Sequence, residues 1–264
     1  MTIVKNGDLE YLTSEAIGVP HCFTTRLGGV SKGTCASLNI AMHREDPPQT
    51  VVENYRILGQ ALDFDPADLV LTRQTHSDIV RIVTAADKQG LDHRNYPECD
   101  ALITCQPNVG LVIFTADCTP VLLHDPVTGA VGAAHAGWRG TALGIAEKTV
   151  SAMVQAFGCK PENIRAAIGP NIGPCCFETD RDVPDAMVSA LSQDAQEWIH
   201  PQGNKYYVNL KELNALWLRK AGVHTIDISP LCTACRQDLF WSHRKVGNAR
   251  GSQGAIIICK GGTK

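Results

Sequence analysis

The strongest constraint on the fold is a series of short β-branched and apolar runs, each cut by a polar loop. Val70–Thr72 and Ile79–Val83 flank Arg73-Gln74-Thr75-His76-Ser77-Asp78. Leu111–Thr115 and Val121–His124 flank Ala116-Asp117-Cys118-Thr119-Pro120. Runs this short suit strands rather than core helices. Proline has no N–H to give to a sheet ladder, so Pro120 predicts a break between the second pair. Asp125-Pro126-Val127-Thr128-Gly129 predicts a turn, followed by a small-residue strand over Ala130–Ala134.

One helix is clear. Leu143, Ala146, Val150, Met153 and Phe157 recur at helical spacing, with Thr141 placed as its N-cap and Gly158 as its stop. Ile164–Ile168 and Ala255–Cys259 read as strands, and Pro184–Leu191 and Leu210–Ala221 as helices. The class is mixed α/β (α+β) with several antiparallel hairpins, not a regular βαβ series. No repeat, low-complexity tract or linker divides the 264 residues. Residues 1–264 are therefore expected to form one domain, near the upper size for a single core.

Charge narrows the function. The net charge is −3 and no lysine/arginine run stands out, so there is no electrostatic footprint for nucleic acid. No apolar stretch approaches the ~18 residues of a membrane span, and the N-terminus lacks a signal peptide's basic start and apolar core. The expectation is a cytoplasmic protein with no nucleic-acid or membrane partner. Eleven cysteines are many, and an odd number. In a chain of this size they read as reduced thiols, most of them small buried hydrophobes and some ligands or nucleophiles. Cys232-Thr233-Ala234-Cys235 has CxxC spacing, but no second CxxC completes a zinc ribbon, and Cys175-Cys176 reads as structural.

His76 and Cys118 each lie between two expected strands, and His135 lies where a strand gives way to the helix. Chain reversals at sheet ends can gather such residues on one rim. Two imidazoles and a thiolate suit zinc (Zn2+), with copper (Cu2+) as the second choice. Three protein ligands leave a fourth position open, as in a catalytic site. Spacing alone leaves this set no stronger than ordinary strand-end residues, since histidines in such loops are commonly solvated.

The surrounding motifs add a family. Thr24-Thr25-Arg26-Leu27-Gly28-Gly29-Val30-Ser31, Gln74-Thr75-His76, Cys99-Asp100-Ala101-Leu102-Ile103-Thr104, Ala116-Asp117-Cys118-Thr119-Pro120-Val121 and His135-Ala136-Gly137-Trp138-Arg139-Gly140 follow one another in that order. With Ala167-Ile168-Gly169-Pro170, Cys175-Cys176-Phe177-Glu178 and Phe240-Trp241-Ser242-His243-Arg244, they resemble the YfiH/YlmD or laccase-domain family from about residue 20 onward. The resemblance implies a single-domain αββα four-layer sandwich of the YfiH-like type and metal ligation by His76, Cys118 and His135, which would also be the catalytic residues. It implies a purine nucleoside phosphorylase acting on adenosine, guanosine, inosine and S-methyl-5′-thioadenosine with phosphate, together with adenosine deaminase activity. The family's older description implies the alternative of a copper-dependent polyphenol oxidase, and its fold relatives imply a cysteine hydrolase using Cys118 as nucleophile. A metal-sensing module is the non-enzymatic alternative.

Phosphorolysis needs an anion site and precise orientation more than a strong nucleophile. Arg26 beside Gly28-Gly29, Arg139 at the start of the helix, and Arg244 in the C-terminal motif are the candidates for holding phosphate. Trp138 is a candidate for stacking on a purine or for packing. The His-x-Glu and Pro-Cys-x-x-Cys signature of cytidine-type deaminases is absent, so deamination would need another arrangement. Asp100 and Asp117 are read as residues that orient a ligand or hold a loop.

Overall fold

In the computed structural model, which describes residues 1–42, 44–91 and 95–262, the short runs become strands whose alternate side chains feed different cores. One six-stranded sheet has the order β1 (Thr2–Asn6), β2 (Leu9–Thr13), β3 (His21–Thr24), β15 (Gln253–Cys259), β7 (Val109–Thr115), β4 (Leu69–Val70). The other has the order β14 (Thr225–Ile228), β10 (Arg165–Ile168), β8 (Thr119–His124), β9 (Val131–Ala136), β6 (Ala101–Thr104), β5 (Val80–Ile82). A small third sheet joins β11 (Glu178–Thr179), β13 (Lys205–Val208) and β12 (Ile199–Gln202).

The period of two explains the layering. Leu111 and Ile113 of β7 enter a core with Leu102 of β6 and Leu122 of β8, so this core lies between the two large sheets. Their neighbour Val112 faces the other way, against Val51, Tyr55 and Leu58 of helix α1 (Pro48–Leu62). On the second sheet, Ile103, Val121 and Leu123 face outward onto Ile145, Ala146, Val150 and Met153 of α3 (Ile145–Phe157) and Ala215 and Leu218 of α5 (Leu210–Lys220). The order is therefore helix, sheet, sheet, helix. The short α2 (Trp138–Ala142), α4 (Asp182–Leu191) and α6 (His243–Val246) complete six α-helices among the described residues. No helix among them is long and apolar enough to cross a membrane.

Two local expectations are corrected, and one helix is added. Pro120 lies inside β8, opposite His135 of β9, and its carbonyl accepts from Gly169 N–H at 2.9 Å. The expected break between the two strands is present at Ala116–Cys118, and β8 simply begins earlier than expected, since a proline near the start of a strand can enter the sheet. The expected single helix from Thr141 is two helices. Thr141 lies within α2, and Gly144, at φ 75° and ψ 32°, caps the start of α3. The left-handed conformation there suits glycine and redirects the chain, leaving Leu143 exposed. The added helix is α1, over a stretch that the apolar runs do not mark. It opens with Pro48 at its first position, where the missing N–H has no partner to lose, and buries only one stripe of residues.

Candidate functional site

The sheet ends bring the three motif residues together. His76 comes from the β4–β5 loop, Cys118 from the β7–β8 reversal and His135 from the penultimate position of β9. One nitrogen or sulfur ligand atom from each lies within 4.8 Å of the others, a separation that one ion can bridge. The His76 and His135 rings meet edge to face with centroids 4.9 Å apart. His135 is buried, Cys118 half-buried and His76 exposed, so the set opens toward solvent on one side. The donor set, two imidazoles and a thiol, fits zinc.

Asp100 organises this rim. Its carboxylate accepts from Thr75 N–H (3.1 Å), His76 N–H (3.1 Å), Ser77 N–H (2.7 Å) and Ser77 Oγ (2.7 Å). Those bonds hold His76 at φ 60°, an uncommon conformation for a residue with a side chain. The same carboxylate lies 2.7 Å from His135 Nδ1. That contact commits Nδ1 and leaves Nε2 for a ligand. Burial works against the Asp100 carboxylate, but hydrogen bonds from His135 and Ser77 hold it well below the usual range. Burial likewise opposes charge on His135, yet Cys118 and Asp100 push the imidazole up to about 9. A metal ion would displace that proton. Burial, His135 and Arg139 hold His76 below its ordinary value despite Asp100, which keeps this imidazole ready to donate a lone pair.

Asp117 performs the equivalent task one loop away, at φ 87°. It accepts from Thr233 Oγ1 (2.6 Å), Ser242 Oγ (3.1 Å) and Arg244 N–H (2.7 Å), tying the C-terminal motif to the Cys118 loop. Replacing Asp100 by asparagine is the sharper test of this scaffolding. Asp100→Asn is expected to weaken zinc binding roughly 10- to 100-fold, because an amide cannot accept all these bonds at once. Competition against a fluorescent chelator measures this directly, and an unchanged affinity would remove Asp100 from the account.

The ligand set borders a cleft of about 570 Å³ that is also lined by Tyr96, Phe114, Arg44, Arg73 and Arg250. A volume of that order suits a small molecule. Arg26, Arg139 and Arg244 do not line it. Arg26 donates to the Gln237 and Ala36 carbonyls at 3.0 Å each and stacks on Trp241. Arg244 donates to the Cys176 and Glu178 carbonyls, also at 3.0 Å. Arg139 lies over the Trp138 ring, and Trp138 packs against the cluster under α4.

The cleft's own arginines are differently placed. Arg73 pairs with Glu98, but Arg44 and Arg250 have no carboxylate partner among the described residues. Arg250 is buried, its Nε has no hydrogen-bond partner among them, and burial together with the Arg44 cation holds the guanidinium down to about 10. Both donate to Ser252 Oγ. Two like charges sharing the Ser252 hydroxyl at the cleft wall leave room for an anion. Neither residue lies in a recognised motif. The sequence signal for Arg250 is slight: an arginine three residues before the last strand begins.

Known proteins match along most of the chain. A family described as multi-copper polyphenol oxidoreductase laccase matches residues 20–260. A Deinococcus radiodurans protein named purine nucleoside phosphorylase is 38% identical over 249 residues, 94% of this chain and 92% of its own. A Geobacillus stearothermophilus protein named purine nucleoside phosphorylase YlmD is 39% identical over 241 residues, 89% of this chain and 86% of its own. The crystal structure of the Bacillus licheniformis protein YfiH superposes with a TM-score of 0.89 at 36% identity, covering 97% of each chain. The motifs, the layered fold and these relatives agree, and the chain belongs to the YfiH/YlmD laccase-domain family.

Proposed function

We propose that the chain is a purine nucleoside phosphorylase that uses phosphate to cleave adenosine, guanosine, inosine and S-methyl-5′-thioadenosine, and that it also deaminates adenosine. The observation that carries this reading is the Arg44–Arg250 couple, without a carboxylate partner among the described residues, in the same cleft as His76, Cys118 and His135. Relatives named purine nucleoside phosphorylase, matching about nine tenths of the chain, support it. So do the aromatic walls at Tyr96 and Phe114, which suit a flat base.

In phosphorolysis a phosphate oxygen bonds to C1′ of the ribose as the C1′–N9 bond breaks, with positive charge building on the sugar. Arg44 and Arg250 would hold the phosphate by charge-assisted hydrogen bonds, and their fixed donors need no reorganisation during the reaction. The base would lie along Tyr96 and Phe114, while Asp100 keeps the imidazoles in register. Zinc held by His76, Cys118 and His135 would supply Lewis acidity and an activated water for deamination. Arg139 keeps a positive charge near His76, and Arg26 and Arg244 fasten the flanking loops. Among the described residues only one ligand cluster contains histidine, which favours this chemistry over multicopper oxidation.

The test is direct. Zinc-loaded protein with adenosine and phosphate is expected to release adenine and ribose 1-phosphate, and adenine should not form without phosphate. Inosine would report deamination. Arg250→Gln is expected to raise the KM for phosphate roughly 10- to 100-fold, the worth of a hydrogen bond to a charged group. The KM for the nucleoside should change far less. No phosphate-dependent adenine would overturn the reading, and an unchanged phosphate KM would overturn this anion site.

A further inference from the structure

The cysteines left without a partner in the sequence meet in space. Cys175 and Cys176 lie in a turn after β10, and Cys232 and Cys235 lie in a turn after β14. These two strands are parallel neighbours paired from Arg165↔Thr225 to Ile168↔Ile228, so the chain leaves both at the same end of the sheet. The two exits stay together. Asn171 bridges to Cys232, Thr233 N–H donates to the Asn171 carbonyl at 2.9 Å, and Gly173 N–H donates to Cys232 Sγ at 3.1 Å. Residues separated by 59 or 60 positions are thereby placed in contact, with Cys235 Sγ 3.4 Å from Cys176 Sγ and 3.5 Å from Cys175 Sγ.

All four sulfurs lie within 4.8 Å of one another, and none is in a disulfide. Four thiolates bound to zinc at about 2.3 Å stand roughly 3.8 Å apart, which this cluster meets with small adjustments. The turn positions suit ligation, because an N–H pointed at sulfur stabilises a thiolate, as Gly173 does for Cys232. Gly173 also makes room, since a side chain there would approach Cys232 Cβ to 3.2 Å and Cys175 Sγ to 3.4 Å. The buried ammonium of Lys211 donates to the Ser229 and Leu231 carbonyls at 2.7 and 2.8 Å, on the segment leading into Cys232. It supplies a fixed positive charge beside a site that would carry net negative charge.

We propose that Cys175, Cys176, Cys232 and Cys235 bind one zinc ion in a closed, all-thiolate structural site, separate from the His76–Cys118–His135 cleft. With four protein ligands it has no open position and no catalytic part. Its task is to clamp the two loops to each other. The carbonyls of Cys176 and Glu178 hold the Arg244 guanidinium, and Arg244 N–H in turn holds Asp117, next to Cys118.

The experiment uses a His76→Ala, His135→Ala chain, which cannot hold metal in the cleft, purified under argon with reductant and no chelator. Metal analysis is expected to find about one zinc per chain, and X-ray absorption at the zinc edge only sulfur neighbours at about 2.3 Å. Adding Cys232→Ser and Cys235→Ser should remove that zinc. A zinc-free chain, a mass lower by two hydrogens per disulfide, or nitrogen or oxygen neighbours in the absorption spectrum would each overturn the proposal. The absorption spectrum is taken with all four cysteines intact, so the outcome stands even if the serine variants fail to fold. It is also independent of phosphorolysis.

Discussion

Cys118→Ala is expected to strip the cleft of its metal and to abolish adenine release from adenosine. The thiolate is the one charged donor of the set, and the two imidazoles that remain hold zinc weakly. The loss should exceed the roughly 100-fold that removing an outer hydrogen-bond partner costs. The fold itself should persist. Cys118 is half-buried, and its loop is anchored through the neighbouring Asp117 to Thr233, Ser242 and Arg244 rather than through the sulfur. The check pairs zinc content with turnover, using thermal denaturation of the metal-free proteins to confirm equal folding. Retention of both zinc and turnover would sink the metal assignment. Retention of zinc with loss of turnover would instead give the sulfur a nucleophile's part, because ligation and free nucleophilicity compete for the same lone pairs.

The second large effect is expected from the smallest change. Gly137 has φ −64° and ψ 171°, a conformation any residue adopts, so backbone freedom is not what requires glycine there. Space is. A Cβ at this position would stand 2.4 Å from His76 Nδ1, 2.8 Å from His76 Cε1 and 3.4 Å from Cys118 Sγ. Gly137→Ala should therefore push the His76 ring out of the ligand set and reduce zinc affinity by about two orders of magnitude or more, the upper end seen when a ligand's orientation is lost. Because His76 is exposed and can swing aside, the metal-free protein should lose only about 1 kcal/mol, the scale of an off-rotamer side chain. Gly140→Ala is the control: its new Cβ would meet nothing closer than 3.4 Å, so zinc content should be unchanged. Equal zinc affinity in the two variants would show that the close approach of Gly137 to His76 does not matter.

The sequence by itself determined seven strands, β4, β5, β7 to β10 and β15, because short apolar or β-branched runs such as Leu111–Thr115 are a local property, whereas β1 to β3, β6 and β11 to β14 emerged only in the tertiary pairing. It also determined which histidines and which cysteine to consider, since each sits in a short motif at a strand end. Tertiary structure decided the rest. Pro120 could enter β8 because its carbonyl, not an N–H, is what Gly169 needs. Arg44 and Arg250 line the cleft beside Arg73, and no motif marks them, because what sets them apart is a shared corner with no carboxylate partner among the described residues. The four-cysteine cluster depends on β10 and β14 lying side by side in parallel register, a pairing between distant segments that no window of sequence contains. The His76, Cys118 and His135 set stands between these cases. Its residues were legible one by one, but their meeting rests on Asp100, whose single carboxylate holds the His76 loop and the His135 ring across two separate strands.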